Sequence, residues 1–251
     1  PADVSLSPTD LGCVVTFNTA ATAIDECDQA PQITSDPPLP ATFEEIGEHT
    51  ITFTATDSCG NSSQCSMTVT VLPTAYCLKQ EAIAVLEGLL SKDQGDDDLI
   101  QAIGYLYMSL GDNVMAKAVA DMDGSEVVWA SPNRIAECQG GYKGADVFQY
   151  EQGACDKLDA YIDNDENTGF GFGAEIETVR QMMAEADQIL AATAISDAHA
   201  NSGNTDAIAD AESLKDEGDA AKAIGGTEIC DIALDKYEEA WEKAVGSWGC
   251  D

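Results

Sequence analysis

Residues 49–71 read HTITFTATDSCGNSSQCSMTVTV, and the reading of this stretch decides the fold around it. Ile51, Phe53 and Ala55 alternate with Thr50, Thr52, Thr54 and Thr56; past the break, Cys65, Met67, Val69 and Val71 alternate in the same way. A period of two sends successive side chains to opposite faces, so both halves read as strands with one face buried. The break itself, DSCGN, carries Gly60 and Asn61, residues that take a positive φ at little cost, as a tight connection between strands often requires. The stretch is a β-hairpin, and its turn holds the fold together.

Working outward, CVVTF at residues 13–17 repeats the alternation through Cys13, Val15 and Phe17. The pieces DECDQAP, SDPPLP and EEIGEH lie between the strands, spaced as in a small antiparallel sandwich. The order GCVVTF, AIDEC, SDPPLPATF and EIGEHTITFTATDSCGNSSQCSMTVTV resembles the hyalin repeat, an extracellular immunoglobulin-like β-sandwich module, over about residues 10–72. The resemblance rests on the strand T-x-T-A-T-D, the turn G-N and the last strand C-x-x-x-V-x-V. Where members often carry Asp-Asn-Cys, this chain has Asp25, Glu26 and Cys27. The resemblance implies extracellular protein–protein interaction and adhesion rather than catalysis.

Nine cysteines stand at positions 13, 27, 59, 65, 77, 138, 155, 230 and 250. They make no pair of CxxC knuckles, and His49 and His199 are the only histidines, so disulfides in an oxidising compartment are expected in place of zinc. The resemblance and the alternation together imply a bond from Cys13 to Cys65 between the sheets and one from Cys27 to Cys59 between loops at one end. Four cysteines allow three connectivities, and the sequence alone does not choose among them. Further along, Cys138 with Cys155 and Cys230 with Cys250 would close short loops. Cys77, at the domain junction, is then left unpaired or intermolecular, because an odd count leaves at least one sulfur over.

Beyond Pro73 the period changes. Ala82, Ile83, Leu86, Leu89 and Leu90, then Leu99, Ile100, Ile103 and Leu106, recur at three and four, the spacing of amphipathic helices. Further helices are predicted over residues 112–121, 145–162, 173–200, 205–223 and 227–245. The fold class is therefore a two-domain all-β plus all-α chain: a sandwich over residues 1–73 and an acidic, disulfide-containing helical domain over residues 74–251. From Asp187 to Ala244 the chain resembles the helical tails of bacterial secreted multidomain proteins. In ALDKYEEAWEKA, Ala233, Tyr237 and Ala240 have the small-aromatic-small spacing of the second helix of a tetratricopeptide unit, with Leu214 and Gly218 in the helix before. The loop between is too long for that repeat and no period of about 34 residues emerges, so a close helix hairpin is the expectation.

The formal net charge is −35, from 11 Lys and Arg against 46 Asp and Glu, and residues 1–73 hold no Lys or Arg at all. Such a chain cannot replace the counterions of a phosphate backbone and is repelled by an anionic bilayer, so no nucleic acid partner and no membrane insertion are expected. There is no run of about 18 apolar residues and no charged-then-apolar leader, and the start at Pro1 reads as a processed or trimmed product.

The sharpest candidate site is YIDNDENTGFGFGAEIE, residues 161–177. Asp163, Asp165 and Asn167 alternate after one helix and Glu175 opens the next, an oxygen-ligand spacing that makes calcium the candidate cofactor. Glycine and glutamate each fall one residue late for an EF-hand loop, which leaves a looser site. The acidic run around Asp96 is explained by capping of the following helix. There is no GxSxG elbow, Walker loop, HExxH or dinucleotide fingerprint, and no enzyme activity is expected.

The expectation is a non-enzymatic protein, extracellular or at the cell surface, that is structural or adhesive and binds other extracellular proteins or copies of itself. The leading segment PADVSLSP could add as a strand to a neighbour and, used head to tail, give a filament. The alternatives are a non-catalytic C-terminal accessory region of a larger secreted enzyme and a calcium-dependent binding module.

Overall fold

The computed structural model describes residues 1–26, 28–125, 127–136, 144–168 and 171–247, with the side chains of residues 165–168 excepted. The chain divides into two compact units, Pro1–Thr74 and Ala75–Asp251.

The first unit is built from six strands: β1 (Val4–Leu6), β2 (Val15–Phe17), β3 (Gln32–Asp36), β4 (Ala41–Phe43), β5 (Gly47–Thr56) and β6 (Ser62–Val71). They form a four-stranded sheet in the order β1-β6-β5-β3 and a two-stranded sheet of β2 with β4. The hairpin read from the sequence is β5 with β6, in register from Gly47 opposite Val71 to Thr56 opposite Ser62. Val15, Phe17, Ala41, Phe43, Ile51, Phe53, Met67, Val69 and Val71 are buried together between the sheets. Apart from Ala41, each such side chain contributes roughly 1.5–3 kcal/mol by leaving water, which is what a unit this small has to set against chain entropy.

One pairing departs from an antiparallel sandwich. β1 lies parallel to β6, with Val4 opposite Val69 and Leu6 opposite Val71. The leading segment expected to serve a neighbour is thus paired within its own sheet, where Val4 and Leu6 pack on the core.

The turn is held by Asp57. Its Oδ1 accepts from the backbone N–H groups of Cys59 (2.9 Å) and Asn61 (2.8 Å), and its Oδ2 accepts from Asn61 Nδ2 at 2.8 Å. Gly60 has φ 88°, a value only glycine takes freely. The Ser58 N–H donates to Asp28 Oδ2 at 2.8 Å, which ties the turn to the loop after β2.

The second unit holds α1 (Ala75–Leu90), α2 (Asp97–Ser109), α3 (Asn113–Ala120), a short hairpin of β7 (Trp129–Ser131) and β8 (Arg134–Ile135), α4 (Ala145–Thr168), α5 (Gly173–Ala200), α6 (Thr205–Ile224) and α7 (Leu234–Gly246). A π-helical turn, Ile229–Ala233, runs straight into α7. Asp96, Asp112 and Asn204 cap α2, α3 and α6 by accepting from first-turn N–H groups. Helix α5 packs against α1, α6 and α7, and α2 against α4. The β7–β8 hairpin is absent from the helical reading of the sequence. Its turn does the work of a cap: Asn133 Oδ1 accepts from the Ala75 N–H and the Pro132 carbonyl from the Tyr76 N–H, satisfying the start of α1.

The expected close hairpin is α6 with α7. A Cβ on Gly218 would lie 2.7 Å from Tyr237 Cε1, so the missing side chain is what lets the ring seat against α6. Tyr237 is fully buried and its hydroxyl donates to Asp219 Oδ1 at 2.9 Å.

Candidate functional site

The cysteines differ most from the sequence reading. Cys65 lies opposite Phe53 and so shares the inner face with Phe53 and Met67, as the alternation requires, yet its thiol is free and exposed. The outer edge of β6 is only partly paired. β6 is ten residues long while β1, its neighbour on the outer side, pairs only with Val69–Val71, so Cys65 lies on a part of β6 that β1 does not flank. Cys59, in the turn, is also free and exposed. The pairings Cys13–Cys65 and Cys27–Cys59 are therefore both corrected. Cys13 is in a disulfide and precedes β2 with φ 56°; Cys27 lies outside the described residues.

In the second unit Cys155 pairs with Cys230, in place of Cys138–Cys155 and Cys230–Cys250. Closeness in sequence misled: α4 packs on the π-helical turn, and packing brings together sulfurs 75 residues apart. Cys77, expected to be unpaired or intermolecular, is disulfide-bonded. Cys138 and Cys250 lie outside the described residues.

Much of the acidic stretch is helical where a loop was expected. α4 continues to Thr168, so Asp163, Asp165 and Asn167 sit on helical backbone, and Glu175 lies in the first turn of α5. An EF-hand-like reading of this stretch places its ligands on a loop, whereas these three positions lie on helix. The side chains of Asp165 and Asn167 are outside the described residues. Neighbouring polar groups serve packing: Asn164 Nδ2 donates to Asp98 Oδ2 at 3.2 Å and the Tyr161 hydroxyl to Asp93 Oδ2 at 3.1 Å. Among the described residues no group of three or more His, Cys, Asp or Glu side chains is arranged to hold a metal ion.

A cluster the sequence reading missed lies inside the helical unit. Lys79 on α1, Glu151 on α4 and Asp187 on α5 meet with no accessible side-chain surface; Lys79 Nζ contacts Glu151 Oε1 and lies 3.3 Å from Asp187 Oδ1. The Trp129 ring of β7 stands over the amine, 5.7 Å from Nζ to its centroid. Trp129 is itself placed by its Nε1–H, which donates to the Ser109 carbonyl at 3.1 Å, and by an edge contact with Tyr76.

Burial dominates the electrostatics. It pushes the Lys79 amine down to about 8 against the opposing pull of Asp187, and pushes the Asp187 carboxyl up to about 6 against the pull of Lys79. Both groups move towards their neutral forms, the reverse of an ordinary surface pair, because desolvation outweighs attraction. Asp187 Oδ2 and Glu151 Oε2 have no hydrogen-bond partner among the described residues.

Each member had a signal. Lys79 interrupts the stripe Ala75–Leu78–Ala82–Ile83–Leu86, Glu151 the stripe Val147–Phe148–Ala154–Leu158, and Asp187 the stripe Met183–Ala184–Leu190–Ala191, all buried positions. Among 46 acids, two on apolar stripes are a faint signal.

The first unit also carries the evidence of kinship. Residues 6–71 match the HYR domain family. No curated protein and no solved structure matches the chain. HYR domains are generally extracellular and adhesion-like, and the disulfides fit that setting. No helix among the described residues is long and apolar enough to cross a membrane.

Proposed function

We propose that this is a non-enzymatic structural or adhesive protein of the extracellular space that associates with copies of itself, and with other extracellular proteins, through its HYR domain. The observation that carries the reading is the match of residues 6–71 together with the outer position of β3 in the four-stranded sheet. β3 is five residues long, its alternate residues Gln32, Thr34 and Asp36 are exposed, and its far edge pairs with no strand of the described residues. Such an edge offers a row of backbone donors and acceptors to an incoming strand, with affinity from the main chain and selectivity from alternate side chains.

The acidic surface acts on the same process. At −35, copies repel one another until salt screens them, so association strengthens as ionic strength rises. Sedimentation velocity of the full chain over a range of concentration and salt tests the reading. Association that grows with both, and that is lost when Thr34→Lys places a charge on β3, supports it; a single monomeric species under every condition refutes it.

A further inference from the structure

The Lys79 cluster contains every component of a condensation between two of its own side chains. Lys79 Nζ stands 3.3 Å from Asp187 Oδ1 and touches Glu151 Oε1, and all three side chains are fully buried. Reacting groups held about 3–3.5 Å apart behave as though at an effective concentration that no solution reaches. Asp187 Oδ2 and Glu151 Oε2 are buried without a partner among the described residues, so the ion cluster is a poorly satisfied resting state.

We propose that Lys79 and Asp187 are joined by an amide bond between Nζ and Cγ, formed within the folded helical unit with Glu151 as proton carrier. Asp187 Oδ1 at 3.3 Å from Nζ holds the carboxyl group beside the amine, while Glu151 touches the nitrogen from which a proton must leave. Burial favours the neutral amine and the neutral acid, the two forms that react.

The balance is complete without any co-reactant. A proton passes from the Lys79 ammonium to the Asp187 carboxylate. The nitrogen lone pair then attacks Cγ, and Glu151 relays a proton from nitrogen to the departing hydroxyl. One N–C bond forms, one C–O bond breaks and one water leaves. No electrons are gained or lost, and Glu151 ends in the state in which it began. Trp129 covers the amine and keeps out solvent that would hold it charged. A neutral amide replaces a buried ion pair, removes one of the unpartnered carboxylate oxygens, and ties α1 to α5 across 108 residues. This is a cross-link made once per chain, so it leaves the non-enzymatic reading untouched.

The test is the intact mass of the full chain after reduction, alkylation and denaturation, followed by peptide mapping. The expected chain is lighter than its sequence by one water, with a branched peptide joining Lys79 to Asp187. Lys79→Arg and Asp187→Ala restore the full mass, and Glu151→Gln slows or abolishes the loss. The decisive readout is on the unmutated protein, so a variant that fails to fold does not affect it. A mass equal to the uncondensed sequence, with separate linear peptides carrying Lys79 and Asp187, overturns the proposal, as does a bond from Lys79 to Glu151.

Discussion

Cys155 and Cys230 are joined by a disulfide with their Cα atoms 5.6 Å apart, which binds α4 to the π-helical turn at the head of α7. The bond spans 75 residues, a long loop whose closure removes much freedom from the unfolded chain. Replacing both cysteines by alanine is expected to lower the stability of the helical unit by roughly 2–4 kcal/mol. Urea unfolding followed by far-ultraviolet circular dichroism measures it, and an unchanged midpoint would contradict the pairing.

Cys59 and Cys65 are exposed thiols in the HYR domain, whereas Cys155 and Cys230 are both buried and bonded. A charge-neutral maleimide applied to the native protein should therefore label Cys59 and Cys65 and leave Cys155 and Cys230 unlabelled until reduction and unfolding. Peptide mapping reads the result. Protection of Cys65 in the native protein would bring back the bond between the sheets.

Gly218 offers a test in which the sign is informative. On an open helix face, glycine to alanine stabilises by up to about 1 kcal/mol. Here the new methyl meets the Tyr237 ring at 2.7 Å, so Gly218→Ala should instead destabilise by about 1–3 kcal/mol. Thermal unfolding checks the direction, and Tyr237→Leu in the same chain should recover part of the loss.

Glu238 sets a pH dependence. Its carboxyl is half-buried on α7, and burial with nearby Glu242 pushes it from 4.5 up to about 7, opposed by a hydrogen bond with Gln149. The folded state then binds this proton more tightly than the unfolded chain, so the contribution is fully present below pH 4.5 and is lost as pH rises through 7. Allowing for its partial exposure, the effect between those limits is about 1–2 kcal/mol. Stability measured at pH 5 and pH 8 should differ less in Glu238→Gln than in the parent chain. Equal differences in the two would remove Glu238 as the cause.

The parts of the fold legible in the sequence are those governed by local period. The alternation of residues 49–71 gave the β5–β6 hairpin, and apolar spacing placed α5 at 173–200 and α6 within one residue of its observed end. What escaped depends on distant partners. Cys65 lies in register with Phe53, but its exposure depends on how far β1 reaches along β6, which the local period does not show. Asp163 and Asp165 have the spacing of a cation loop, and the local pattern does not show that α4 continues through them. Lys79, Glu151 and Asp187 lie far apart in sequence, and their meeting is a product of how α1, α4 and α5 pack.

Hydrogen exchange at the backbone of β3, residues 32–36, tests association through this edge as the concentration of the full chain is raised at moderate salt. An added strand would engage the outward amides of β3, so slower exchange confined to this edge is the predicted result. Exchange at β3 that stays the same at every concentration, while copies associate through some other surface or not at all, would contradict it.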